Sequence, residues 1–164
     1  MSSFNQSEAV AVETSIRPHL VCADALRAIE FYQRAFNAVE LFRVQHDGGV
    51  IGHAEIQIGN SRVMLADEFP QMNVRGPKAY GGSPASLMIY VEDVDAVVTQ
   101  AVSAGATIKR PVQNQFYGDR TGTIEDEEIG LNPQLVEELP GRLDRLAKGE
   151  SLTNDARRRF EERL

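Results

Sequence analysis

The sequence has no long apolar run, contains a single cysteine and lacks tryptophan. None of its stretches approaches the roughly 20 apolar residues that a membrane-spanning helix needs. The first residues, MSSFNQSEAVAVETS, have neither the basic nor the apolar region of a signal peptide. One cysteine, Cys22, excludes an internal disulfide and a multi-thiolate metal site, and its apolar neighbours favour a buried thiol. These features predict a cytoplasmic protein without a membrane partner.

Positive charge is also scarce. The 164 residues include 24 acidic and 17 basic side chains, a formal net charge of −7. Nucleic-acid-binding surfaces are basic, so no nucleic-acid partner is expected. Phosphate-binding loops, G-x-S-x-G, H-E-x-x-H and C-x-x-C motifs are absent as well. The composition indicates one globular domain, whose acidic bulk would suit a cationic or amphipathic ligand.

One pattern occurs twice along the chain. A strand-like segment leads into Asp24, a good helix N-cap, and the amphipathic stretch ALRAIEFYQRAF follows up to Asn37. Three strand-like pieces come next, VELFRVQ, GVIGHAEIQIG and SRVMLADE. The pattern restarts 69 residues later, with Asp93 as the N-cap of a second amphipathic helix and with TIKRPV and FYGDRTGTIED as further strands. The sequence therefore predicts an internal duplication.

The duplication sets the predicted domain organisation. A polar leader, predicted to be flexible, covers residues 1–15, and one domain covers 16–136. Within it, repeat one spans 16–68, a Gly/Pro-rich linker spans 69–84 and repeat two spans 85–136. Leucines at helical spacing predict a helical tail over 137–164, which we interpret as a packing or dimer element.

Three segments carry a resemblance to a known family: HLVCADALRAIEFYQRAF, MIYVEDVDAVVTQAVSAGA and FYGDRTGTIED. In this order they resemble the vicinal oxygen chelate superfamily, which includes glyoxalase I, bleomycin-resistance proteins, fosfomycin-resistance enzymes and extradiol dioxygenases. The resemblance implies an α+β fold in which two tandem βαβββ units form a curled mixed sheet with helices on its convex face. It also implies a ligand pocket on the concave face and a homodimer, and the helical tail would extend this fold.

The resemblance further implies positions for a divalent metal. They lie seven residues before each capping aspartate and in the last strand of each unit, and here they are Arg17, Ser86, Met64 and Gln134. Of these side chains only that of Gln134 suits a hard metal ion. We therefore expect the standard metal site to be lost and no cofactor to be required, while a divalent metal at a displaced site stays possible.

Strand alternation indicates other candidate pocket residues, because side chains two residues apart share a face. Arg17 and His19 share one face of the first strand. In GVIGHAEIQIG an apolar face is predicted for Val50, Gly52, Ala54, Ile56 and Ile58. The opposite face is then formed by Ile51, His53, Glu55 and Gln57. His19, His53 and Glu55 would form a metal or acid–base cluster, or these polar residues simply lie on a half-solvated sheet.

Two further places carry candidates. Glu68 closes the fourth strand, where it either enters the site as a weak metal candidate or serves as a turn residue. In the hairpin FYGDRTGTIED, Tyr117 and Arg120 would present an aromatic wall and an anion-binding fork to a ligand. Alternatively, Asp119 and Arg120 pair with each other or cap the turn.

Together with these observations, the resemblance implies a glyoxalase/bleomycin-resistance-like protein that binds a small molecule and lacks the standard metal site. The alternative is a metal-dependent lyase, isomerase or dioxygenase that uses a displaced His/Glu site. A third possibility is a structural or regulatory subunit that acts through the tail.

Overall fold

The structure, a computed structural model, describes residues 14–139. Most of the predicted leader and of the predicted helical tail lies outside this range. Two βαβββ units follow each other along the chain, so the predicted α+β fold is confirmed. Unit one consists of β1 (His19–Cys22), α1 (Ala25–Phe36), β2 (Val39–Gln45), β3 (Ile51–Ile58) and β4 (Ser61–Asp67). Unit two consists of β5 (Met88–Tyr90), α2 (Val94–Ser103), β6 (Thr107–Asn114), β7 (Asp119–Glu125) and β8 (Gln134–Glu138).

Each unit forms its own four-stranded mixed sheet. The strand orders are β1-β4-β3-β2 and β5-β8-β7-β6, with parallel pairs β1–β4 and β5–β8 and antiparallel pairs elsewhere. The register repeats as well, since His19 pairs with Met64 in unit one and Met88 pairs with Gln134 in unit two. The predicted duplication therefore extends to the pairing of individual residues.

Both helices begin at their predicted N-caps, and α1 ends at its predicted C-cap. The Asp24 carboxylate accepts a hydrogen bond from the backbone N–H of Arg27 at 3.0 Å, and Asp93 accepts one from Ala96 at 2.9 Å. Asn37 ends α1 with a positive φ of 54°. Most apolar residues of α1 are buried, including its aromatic residues Phe31, Tyr32 and Phe36.

The core lies between the two sheets and the two helices. α1 packs on the strands of unit one, α2 packs on β6, β7 and β8, and the helices contact each other. Polar contacts also join the units, since Gln100 Nε2 donates to the carbonyl of Arg34 at 2.7 Å and to Asn37 Oδ1 at 3.0 Å. Arg27 Nη2 lies 2.8 Å from Glu128 Oε1. Cys22 is buried in this core, as predicted.

The structure differs from the sequence prediction at two strands. The pairing of β2 with β3 shifts between Val44 and Gln45, and this irregularity turns Ile51 into the core beside Ala54 and Ile56. The prediction that Ile51 shares the polar face of His53 was therefore wrong. β8 also continues through Glu138, so residues 137 and 138 belong to the sheet and not to the tail.

The predicted linker contains two short 3₁₀ turns, Pro70–Met72 and Pro77–Tyr80. Neither helix in residues 14–139 combines the length and the apolar character needed to cross a membrane.

Candidate functional site

The face of the first sheet that is turned away from α1 carries most of the predicted site residues. We call it open face one. Cross-strand partners His19, Met64, Glu55 and Phe42 form one row across β1, β4, β3 and β2. His53 lies beside this row, opposite Val44. The structure thus brings His19, His53 and Glu55 to one face, as strand alternation predicts.

Glu55 is the centre of a charged cluster. Glu55 is only 7% exposed, which is unusual for a residue with a carboxylate and requires compensating partners. Arg62 Nη1 lies 3.5 Å from Glu55 Oε2, and Arg17 Nη1 lies 3.8 Å from the same oxygen. His53 Nε2 approaches the other carboxylate oxygen at 3.7 Å. Two guanidinium groups and one imidazole therefore surround a single buried carboxylate.

Aromatic rings continue the surface next to this cluster. The rings of Phe42 and His53 are 5.6 Å apart between centroids, and those of His53 and His19 are 6.2 Å apart. Phe42 and Val44 are about half exposed although both are apolar. Open face one therefore combines charged groups with uncovered apolar area, which is typical of a ligand or protein contact surface.

A cleft of about 1000 Å³ separates the two units where β1 and β5 begin. Arg17 and Arg62 line it from unit one, and Met88 and Tyr90 line it from unit two. These two apolar side chains are 55% and 58% exposed. Phe36 adds apolar wall, and Glu92 and Asp93 add acidic groups. The cleft thus connects the cationic side of open face one with apolar surface of unit two.

A smaller cavity of about 490 Å³ lies on the corresponding face of the second sheet. Tyr117, Thr121, Thr123 and Gln134 line it, and Gln115 Nε2 donates to Thr121 Oγ1 at 2.8 Å. Two of the predicted site residues, Tyr117 and Gln134, therefore lie in this cavity of unit two, away from Glu55. Thr123 occupies the position in unit two that Glu55 has in unit one. Glu55 pairs with Met64, the partner of His19 in β1, and Thr123 pairs with Gln134, the partner of Met88 in β5.

Three other predicted residues are engaged elsewhere. Arg120 lies on the α2 side of β7, where Nε and Nη2 donate to the two carboxylate oxygens of Asp95 at 2.6 and 2.8 Å. This pairing lowers the pKa of Asp95, chiefly through the hydrogen bond from Arg120. Gln57 donates its amide to the carbonyl of Gly59 at 3.0 Å. Glu68 Oε1 accepts the backbone N–H of Gly76 at 2.6 Å.

The positions implied for a divalent metal do not fit one. Arg17 is a permanent cation, Met64 offers a soft thioether, Ser86 is exposed, and only Gln134 offers a hard oxygen. Within residues 14–139, one group of His, Cys, Asp or Glu brings three ligand atoms within 4.8 Å of one another: Asp93, Asp95 and Glu137. That group caps α2, because Asp93 and Glu137 accept its backbone N–H groups and Asp95 holds Arg120.

A second set of titratable groups is buried between the units. Asp126 and Tyr32 are both inaccessible, and neither Asp126 Oδ2 nor Tyr32 Oη has a hydrogen-bond partner within 3.5 Å among the described residues. Burial raises the pKa of Asp126 to about 6, although the backbone N–H groups of Glu128 and Ile129 and the nearby Tyr32 hydroxyl oppose the shift. Burial and the charge of Asp126 also raise the pKa values of Tyr32 and Cys22.

Sequence reasoning missed three contributors to the site. Arg62 was not recognised, although the turn Gly59–Asn60–Ser61 places it opposite Gln57 and hence on the face of Glu55. Phe42 was not recognised because β2 shows no clear alternation. Tyr90 joins the cleft only through packing of the two units, which has no local signal in the sequence.

Comparison with known proteins identifies the family. A model of the Glyoxalase/Bleomycin resistance protein/Dioxygenase superfamily matches residues 14–128. The chain belongs to this superfamily. An uncharacterized protein of Mycobacterium bovis, Mb0911c, is 43% identical over 121 residues, which cover 72% of this chain and 80% of that protein. The resemblance drawn from the two repeats is thereby confirmed.

Solved structures of other proteins agree with the fold. TioX from Micromonospora sp. ML1 superimposes with a TM-score of 0.60 at 26% identity, over 77% of this chain and all of TioX. The fosfomycin resistance protein FosX from Listeria monocytogenes gives a TM-score of 0.59 at 13% identity, over 80% of this chain and 98% of FosX. At that identity FosX supports the fold and carries no argument about activity.

Proposed function

We propose that this superfamily member binds an amphipathic small molecule in the cleft between its units and does so without the superfamily's metal. One observation carries the proposal: the cleft of about 1000 Å³ joins two arginines of unit one to exposed apolar side chains of unit two. Small-molecule sites combine apolar walls with a few placed polar groups in this way.

The metal-free part of the proposal follows from the donor set. Arg17 and Met64 stand at two of the four implied positions, and neither is a ligand for a hard divalent cation. Metal content after dialysis against Mn, Fe, Ni or Zn, measured by plasma mass spectrometry, tests this directly. We expect less than about 0.1 ion per chain, and one retained ion per chain would overturn it.

The protein is proposed to act as a homodimer. Phe42 and Val44 on open face one, and Met88 and Tyr90 on the second sheet, leave apolar area on both units. A second copy of the chain would cover these surfaces and narrow the cleft. Light scattering should then give about twice the 18.1 kDa of one chain. Tyr90→Lys should shift this mass toward the monomer, whereas Val102→Lys, on the exposed side of α2, should not.

A second candidate is an enzyme of the same superfamily that uses His53 and Glu55. The observation that favours it is the 3.7 Å approach of His53 Nε2 to Glu55 Oε1, with the His19 ring close by. A carboxylate next to an imidazole orients a general base. His19→Ala or His53→Ala would then abolish turnover of a substrate while leaving the fold intact. Thermal-shift screening for ligands comes first, because a saturable stabilising ligand that is recovered unchanged supports binding alone.

A further inference from the structure

The charge of open face one differs from that of the whole chain. The protein as a whole has a net charge of −7, yet Glu55 is surrounded by Arg17 and Arg62 as well as His53. One carboxylate neutralises only one of two guanidinium groups, which stay protonated at every accessible pH. A net positive charge therefore remains at this place even when both nearby histidines are neutral.

Both arginines have hydrogen-bonding capacity to spare. A guanidinium carries five N–H donors. The side-chain hydrogen bonds of residues 14–139 include one from Arg62, to Glu55 at 3.5 Å, and none from Arg17. The separations of 3.5 and 3.8 Å are long for a charged pair, which normally closes to about 2.8 Å. Glu55 thus holds the two guanidinium groups near each other without saturating either of them.

Both arginine side chains also line the cleft and are partly exposed. The side chain of Arg17 is 38% exposed and that of Arg62 is 48% exposed, and both line the cleft with Met88 and Tyr90. The acidic groups of the cleft are Glu92 and Asp93, of which Asp93 already caps α2. A cationic group placed at the arginine pair would meet repulsion, whereas an oxyanion would find several free donors.

We propose that Arg17 and Arg62 form an oxyanion subsite, which takes the carboxylate or phosphate group of the amphipathic ligand. The apolar body of that ligand lies against Met88 and Tyr90. Glu55 is a positioning residue that keeps the guanidinium groups together. This inference rests on the proposed binding function, and it makes the ligand an anionic amphipathic molecule, where the net charge alone favoured a cationic or amphipathic one.

Matched naphthalene probes test the sign of the charge. Titration calorimetry on the full chain would compare 1-naphthoate, 1-naphthyl phosphate, 1-naphthylmethanol and 1-naphthylmethylammonium. We expect both anions to bind at least tenfold more tightly than the ammonium compound, and the tighter anion identifies the group. If the neutral or ammonium probe binds as tightly as the anions, the oxyanion subsite is wrong and the binding function stands. If none of the four binds, both proposals fail.

Variants test the residues. Arg17→Gln and Arg62→Gln should each weaken naphthoate binding about tenfold or more, the loss typical of a hydrogen bond to a charged group, and leave naphthylmethanol binding unchanged. Arg43→Gln is the matched control, because Arg43 lies in the same sheet but pairs with Ala54 on the opposite face and with Glu40 at 2.7 Å. Equal losses in all three variants would overturn the subsite. Urea unfolding of each variant establishes that it is folded.

Discussion

Asp67 and Glu137 occupy equivalent places in the two units, and each carboxylate accepts the first backbone N–H of the helix in its own unit. Asp67 Oδ1 lies 2.6 Å from the nitrogen of Ala25, and Glu137 Oε2 lies 3.1 Å from that of Val94. Asp67 Oδ2 also accepts the N–H of Ile51 at 2.6 Å. An acid at the end of a last strand thus satisfies a helix N-terminus that would otherwise lack a partner.

The difference between the two acids leads to a stability prediction. Asp67→Ala leaves two backbone donors without partners and should lower the free energy of unfolding by about 3 kcal/mol, whereas Glu137→Ala should cost about 1 kcal/mol. Urea unfolding at neutral pH measures both. Glu127→Ala is the control for loss of an exposed acid, with a change within roughly 0.5 kcal/mol expected. Equal losses at the first two positions would contradict the assigned role of Asp67.

Because Asp126 is buried, we expect its replacement by asparagine to raise the free energy of unfolding in a pH-dependent way. Its pKa of about 6 in the folded protein lies above that of about 3.9 in an unfolded chain, so folding favours the protonated acid. The stability that this group contributes is full below about pH 4 and is lost as the pH rises through 6, a change of roughly 3 kcal/mol. Asp126→Asn keeps the Oδ1 acceptor for Glu128 and removes the charge.

Asp126→Asn should therefore be more stable than the parent protein by about 1–3 kcal/mol at pH 7.5 and no more stable at pH 4. Chemical unfolding across this pH range measures the free energy of unfolding of both proteins. The contributions of the other titrating groups cancel in the difference between the two values. Asp47→Asn, in the exposed β2–β3 turn, controls for the loss of one negative charge. If Asp126→Asn raises the free energy of unfolding by the same amount at every pH, Asp126 is not the titrating group.

Local signals explain what could be predicted from the sequence. The N-caps Asp24 and Asp93 and the cap at Asn37 act on neighbouring residues, so the helix limits follow from short segments. The duplication then predicts the second unit from the first. Alternation in β3 predicts the common face of His53 and Glu55, because each step along a strand reverses the side chain.

What could not be predicted depends on distant contacts. The shift in pairing that buries Ile51 arises between two strands and leaves no mark in the period of β3 itself. The pairing of Arg120 with Asp95 could not be predicted either, because Asp95 is 25 residues away on α2. The net charge of the chain likewise does not predict that two arginines meet at Glu55, because charge at a site depends on which few side chains come together there.

The pairing of Arg120 with Asp95 predicts that this arginine supports α2 and does not bind the ligand. Arg120→Gln should raise the pKa of Asp95 back toward the range usual for an aspartate, since the hydrogen bond from Arg120 is the main cause of its lowering. Carbon-detected NMR titration of the carboxyl groups measures this shift. The affinity for 1-naphthoate should stay within twofold of the parent value. A tenfold loss of affinity with an unchanged Asp95 pKa would return Arg120 to the ligand site.

The close packing of Gly76 in the linker against Val21 of β1 leads to a prediction about stability. A Cβ added there would lie 2.7 Å from the carbonyl oxygen of Val21 and 3.1 Å from Glu68 Oε1, and the first of these atoms is backbone that cannot rotate away. Gly76→Ala should therefore displace the linker and cost about 1–3 kcal/mol in urea unfolding, as overpacked sites do.

Gly81→Ala separates this close contact from backbone strain. Gly81 has a positive φ of 74° and no heavy atom within 4 Å of an added Cβ, so its substitution tests conformation alone, at a cost of about 1 kcal/mol. If Gly76→Ala leaves the free energy of unfolding unchanged while Gly81→Ala lowers it, the linker does not pack against Val21. Glu68 would then lose its partner at the Gly76 N–H and be free to serve the site, as the sequence alone allowed.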